Sequence, residues 1–146
     1  HCVAVGVWVY GGVVLGTRIG VGSGEMEGQD RMLAMRAARH CDVVAADPTD
    51  FDALYSWALV LQEQAERAEA ARADVVRRVD LLVEACTKYA AAHRLRPGAP
   101  APLYNWGIAL GDCARASTNT ARARVLWLEA CSRYRAAVEC DTALTQ

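Results

Sequence analysis

The 146-residue chain is short of the residues that interrupt helices. Its four prolines stand at 48, 97, 100 and 102, and no glycine falls between Gly28 and Gly98. Helices over that stretch meet no breaker. An excess of charge of either sign is also lacking. Sixteen basic and 17 acidic side chains leave a net charge of −1. Without a basic stripe, nucleic acid is excluded as the expected partner. Lysine is nearly absent, Lys88 being the only one. The six cysteines, at 2, 41, 86, 113, 131 and 140, include no C-x-x-C. A chain this long needs no disulfide framework, so they read as reduced, small hydrophobic side chains. His1, His40 and His93 form no H-E-x-x-H and have no cysteine at zinc-ligand spacing. His40 and Cys41 are adjacent, and on a helix they point in different directions. G-x-S-x-G and the Walker loop are missing as well. No enzyme, metal site or cofactor is therefore expected.

What is present is apolar: 53% of residues are hydrophobic and 23% charged. That balance fits one folded domain rather than a disordered chain. The chain begins with His1 rather than methionine, as a processed chain or fragment would.

Residues 1–29 differ from the rest. They hold eight of the 11 glycines and no proline, and His1 to Thr17 includes no Asp, Glu, Lys or Arg. Three readings of this Gly/Val-rich tail stand side by side. Residues 1–17 reach the lower length limit of a membrane anchor, although glycines weaken it. Val7 to Leu15 around Gly11-Gly12 has the form of a β-hairpin, which alone is marginal in water. The third reading is a poorly packed, disordered tail. A secretory signal fits badly, since no basic segment precedes the apolar run. Gly20, Gly22 and Gly24 fall short of a phosphate loop, because Glu25 and Glu27 follow and would repel phosphate.

From residue 30 onward the hydrophobic period is helical. The pattern predicts five helices, at about 30–46, 51–69, 74–95, 101–116 and 121–140, with the prolines between them. Thr49 or Asp50 is placed to cap the second helix, and Thr49 to Asp52 fits a capping box. An internal repeat then emerges. Leu54-Tyr55-Ser56-Trp57-Ala58 returns 49 residues later as Leu103-Tyr104-Asn105-Trp106-Gly107. Glu84-Ala85-Cys86-Thr87-Lys88-Tyr89 returns 45 residues later as Glu129-Ala130-Cys131-Ser132-Arg133-Tyr134. Two helices are copied in the same order. A weaker copy of the second helix runs from Met32 to Pro48, which matches Pro97 at an offset of 49. Leu54, Trp57, Ala58 and Leu61 share one helix face, where the small residues let a partner approach. Tyr89 and Tyr134 have the bulk to fill the space left.

These residues resemble the tetratricopeptide (TPR) family. Leu54, Trp57-Ala58, Leu61 and Leu103, Trp106-Gly107, Leu110 match its first-helix pattern. Ala85, Tyr89, Ala92, Pro97 match the second, as do Ala130, Tyr134, Ala137, with Thr142 in place of the proline. The early copy carries Arg36 and His40 at the small and aromatic places. The resemblance covers residues 30–146. It implies an all-α solenoid of antiparallel helix pairs: a half repeat at 30–48 and repeats at 49–97 and 98–146. Repeats of 45 to 49 residues exceed the usual length of about 34. In that they look like long-helix repeats of plant and algal plastid proteins and of the plant mitochondrial import receptor. The resemblance thus implies an organelle, the plastid among them. No polar capping helix follows Gln146, so the resemblance leads one to expect that a repeat array would continue or meet another chain there.

In this family the first helix of each pair lines a concave groove that holds a protein or peptide. The resemblance places Tyr55, Ser56, Leu59 and Gln62, then Tyr104, Asn105, Ile108 and Asp112, along it. Packing of the tyrosines between repeats is the competing role. Such a mixture of aromatic, aliphatic and amide groups suits an extended peptide or a helix. Asn105 stands where the family grips a terminal carboxylate with asparagine. Tyr55 replaces the lysine of that grip and Leu59 its other asparagine, so a carboxylate clamp is not expected. A membrane-tethered import or assembly receptor, anchored by residues 1–17, is the alternative. The charged run from Glu63 to Arg78 reads as a solvated helix face with i,i+4 pairs such as Glu63 with Arg67.

Overall fold

A computed structural model describes residues 28–70 and 74–144. The proposed anchor and hairpin, and all of the 1–29 tail except Gly28 and Gln29, lie outside the described residues. Five helices follow one another: α1 (Gly28–Ala46), α2 (Phe51–Ala70), α3 (Val75–Leu95), α4 (Pro100–Ala116) and α5 (Thr120–Leu144). No strand occurs among the described residues. All five expected helices are present, and α5 runs four residues further than its period indicated.

Local chemistry explains the starts of α2 to α5. Asp50 Oδ1 accepts the Ala53 N–H at 2.9 Å, so Asp50 caps α2. Thr49 instead donates through N–H and hydroxyl to Asp47 Oδ1, at 2.9 and 2.7 Å. That turn takes the place of the capping box, and Asp52 is left exposed, 3.7 Å from Arg96. Asp74 caps α3 by accepting from Val76 N–H at 2.9 Å. Asn119 caps α5 through the Arg122 N–H at 2.9 Å. α4 has no side-chain cap but opens on Pro100, which brings no orphan N–H. Pro100 and Pro102 therefore sit in its first turn, not in the connection.

Each helix packs chiefly on its neighbours in sequence. The core runs through Leu33 and Ala37 of α1, Trp57, Ala58 and Leu61 of α2, and Leu82, Ala85 and Tyr89 of α3. It continues into Ala109 and Cys113 of α4. Tyr89 is wholly enclosed, and its hydroxyl donates to Gln62 Oε1 at 2.9 Å.

The two helix pairs share two kinds of ring contact. Tyr55 and Tyr89 stand 6.1 Å apart at 55°, and Tyr104 and Tyr134 stand 5.6 Å apart at 57°. The Lys88 ammonium lies 3.8 Å from the Trp57 ring centre. The Arg133 guanidinium lies at the same distance from Trp106. Small-against-large packing is also found: a Cβ on Gly107 would come within 2.7 Å of the Tyr134 ring.

The odd composition of α1 has a structural reason. Its buried face is Leu33, Ala37 and Cys41. At an offset of 49 these correspond to Leu82, Cys86 and Ala90 of α3. Cys86 and Ala90 line the space that α3 shares with α4. Arg36 and His40 correspond instead to Ala85 and Tyr89, which α3 turns toward α2. Among the described residues α1 packs on α2 alone; Arg36 is exposed and reaches Glu63 of α2, and His40 is half-buried, so polar side chains are tolerated there.

Candidate functional site

The eight residues expected along the groove divide into two groups. Six remain at or near the surface. Tyr55 is half-buried, stacked 6.1 Å from Phe51, and its hydroxyl accepts the Asn105 amide at 2.8 Å. This bond spans 50 positions of sequence and joins α2 directly to α4. Ser56, Asn105 and Ile108 are half-buried, while Leu59 is 38% and Tyr104 55% exposed. Tyr104 is the tyrosine that faces solvent; Tyr55 is committed to the α2–α4 contact.

Gln62 and Asp112 do not reach that surface. Both are buried, at 8% and 5% exposure. The cause is helical drift. Two steps of three residues from Ser56 to Gln62 slip about 120° around the axis, and two steps of four from Tyr104 to Asp112 advance about 80°. Gln62 Oε1 takes the Tyr89 hydroxyl and its Nε2 donates to Glu66 at 3.3 Å. The Asp112 carboxylate accepts from Arg115 one turn on. Burial raises its pKa above the ordinary aspartate value, and Arg115 and Arg78 oppose that in part.

Several side chains of the charged run tie helices together. Glu63 reaches Arg36 of α1 at 3.4 Å. Arg67 donates to Asp30 and, at 2.7 Å, to Gln29, both of α1. Arg78 of α3 meets Glu69 at 3.0 Å. Glu63 and Arg67 thus have partners on α1.

A second concavity escaped the sequence reading. α3, α4 and α5 enclose an open pocket of about 530 Å³. Val83, Trp106, Leu110 and Leu126 form its apolar wall, and Asn119, Arg122 and Glu129 its polar rim. None of the eight groove residues lines it. Cys86 of α3 and Cys113 of α4 do. Interaction with Cys113 and burial both push the Cys86 thiol up. Interaction with Cys86, helped by Arg122 and Arg78, holds Cys113 below the usual thiol value against its own burial and the Asp112 carboxylate. The available signal was the spacing Trp106, Leu110, Cys113, which puts all three on one face of α4. Cys131, the repeat counterpart of Cys86, is exposed, because no described helix covers that side of α5.

Histidine chemistry is slight. Burial lowers His40 and His93, Arg36 and Arg39 adding to the first and Arg133 to the second. Among the described residues no three His, Cys, Asp or Glu side chains converge as metal ligands. No described helix is long and apolar enough to cross a membrane. No protein-family model matches the chain, and a search of curated proteins finds no match.

Proposed function

We propose that the chain is a protein-interaction module, a short solenoid of tetratricopeptide-like helix pairs that holds a peptide or partner protein along α2 and α4. The reading rests on the Asn105–Tyr55 hydrogen bond. That bond sets the first helix of one pair beside the first helix of the next. Leu59, Ile108 and Tyr104 then line one strip that solvent reaches, with Ser56 and Asn105 as polar points. Apolar anchors at helical spacing, with few polar groups to set register, suit an extended peptide or an amphipathic helix. Tyr104 is the strongest anchor, being large, rigid and exposed. Gln62 and Asp112 serve the interior instead. The function needs no cofactor. A plastid or other organellar setting follows from the family resemblance alone.

A phage-displayed peptide library panned on the immobilised chain tests this. Leu59→Glu and Tyr104→Ala should each lower capture of selected peptides by tenfold or more, with unchanged far-UV circular dichroism. Equal capture by the double variant refutes the groove.

A further inference from the structure

We propose that α5 is a dimerisation helix, its exposed face covered by the same face of a second copy of this chain, antiparallel to it across a two-fold axis at Cys131. Among the described residues α5 packs on α4 alone. Arg124, Trp127, Leu128, Cys131, Arg135 and Val138 fall within about 100° of its circumference, and all of them are exposed. Leu128 and Val138 are 64% and 62% exposed. Scattered apolar side chains on a surface are ordinary, but a stripe of them along one helix marks a place where something docks. Arg124, Leu128, Cys131, Arg135 and Val138 follow one another at steps of four and three, the spacing of a helix–helix seam.

The charges on this stripe select the occupant. Arg124 stands near one end, and Glu139, also exposed, borders the other. An anionic lipid surface would be repelled at the Glu139 end. A first-type helix of a further repeat would meet Arg135 at the place where α4 finds Ala90. The same helix turned end for end brings each charge to its opposite. A two-fold axis beside Cys131 sets every residue level with the one equally far beyond it on the other copy. Trp127 is then level with Arg135 of the other copy, and Arg124 with Val138 and, one position on, Glu139. Symmetry makes each contact twice, so the seam gains two Arg124–Glu139 ion pairs and two Arg135–Trp127 cation–ring contacts. The chain already uses the second kind of contact: the Lys88 ammonium and the Arg133 guanidinium each lie 3.8 Å from an indole centre. Cys131, the small residue of the stripe, falls on the axis, where the two helices come closest. Relative to α3, Leu82 has become Trp127 and Ala90 has become Arg135. These are the two departures that meet across the axis. The surface is separate from the groove on α2 and α4, so the dimer carries two grooves.

Sedimentation equilibrium of the full chain in reducing buffer, at about 100 μM, tests the interface well above the micromolar Kd of a small contact. The mass should be twice the 15.8 kDa of one chain. Leu128→Glu and Arg124→Glu should each return it to the monomer mass with unchanged far-UV circular dichroism, because both side chains are exposed. Arg124→Glu combined with Glu139→Arg should restore the dimer. Oxidation with diamide should join two copies through Cys131, as a tryptic peptide 125–133 linked to itself. Cys131→Ala should remove that cross-link and keep the dimer. A monomer mass for the unsubstituted chain overturns the proposal, as does a dimer that survives Leu128→Glu. An assembly larger than two overturns the closed two-fold contact. Failure of the charge exchange to restore the dimer, or a cross-link through Cys140 in place of Cys131, overturns the antiparallel register.

Discussion

Gly107 offers a test in which two well-understood effects oppose each other. A Cβ added there would lie 2.7, 2.9 and 3.0 Å from three carbons of the Tyr134 ring. The ring is braced on its other side by Tyr104, whose centre is 5.6 Å away. Replacing a mid-helix glycine with alanine ordinarily stabilises by about 1 kcal/mol. Forcing one methyl into a packed contact typically costs 1–3 kcal/mol, roughly. The contact distances are too short for a small shift to relieve, so the second effect should win. We expect Gly107→Ala to destabilise the chain by about 1 kcal/mol, read by urea unfolding followed by circular dichroism. In a Tyr134→Leu background the obstructing ring edge is gone and only helix propensity remains. There the same Gly107→Ala change should stabilise by about 1 kcal/mol, a coupling of about 2 kcal/mol in the double-mutant cycle. A Gly107→Ala variant more stable than the parent with Tyr134 in place would refute the close packing of α4 on α5.

Other substitutions probe separate parts of the fold. Tyr89→Phe removes the donor to buried Gln62 Oε1 and should destabilise by about 1–2 kcal/mol in the same unfolding assay, since the amide oxygen then has no replacement inside the core. Lys88→Ala and Arg133→Ala each remove a cation from an equivalent indole. They should lower stability by similar amounts, about 0.5–1 kcal/mol each, and a large disparity would show that the two pairs are not equivalent. Asp112 has its folded-state pKa raised by burial, so its protonation favours the native state. Its contribution is fully present below the ordinary aspartate pKa and is lost as pH rises through the folded value. Asp112→Asn should therefore be more stable than the parent at pH 7, with the difference closing as pH falls toward about 4; a difference that widens in acid would contradict the burial of this carboxylate.

The internal copies are what made the helices and their seams readable from sequence. Trp57 and Trp106, or Tyr89 and Tyr134, needed only the rule that equal patterns meet equal surroundings. Such a rule is blind wherever one copy departs from the other. At an offset of 49 Gln62 matches Gly111, so no second example warned that Gln62 turns inward to Tyr89. Cys86 and Cys113 line one pocket between α3 and α4. That shared lining depends on the rotation of α4 against α3, which periodicity does not specify. The pairing of Arg36 with Glu63 was hidden in the same way, by the crossing of α1 over α2.

The residues at which the copies differ carry a further consequence. The face of α3 that meets α4 holds Leu82, Cys86 and Ala90, and their counterparts on α5 are Trp127, Cys131 and Arg135. Trp127 is 43% exposed and Cys131 and Arg135 are exposed. Trp127 also packs within the second pair, its ring 3.1 Å from the position of a Cβ on Gly111. One residue thus serves the contact within the second pair while lying on the face that, one repeat earlier, receives the next helix. Arg135 in place of Ala90 removes the small residue that lets such a helix approach. The α5 face is consequently a poorer receiver than the α3 face, with Arg135 standing where α3 has Ala90 and Trp127 where it has Leu82.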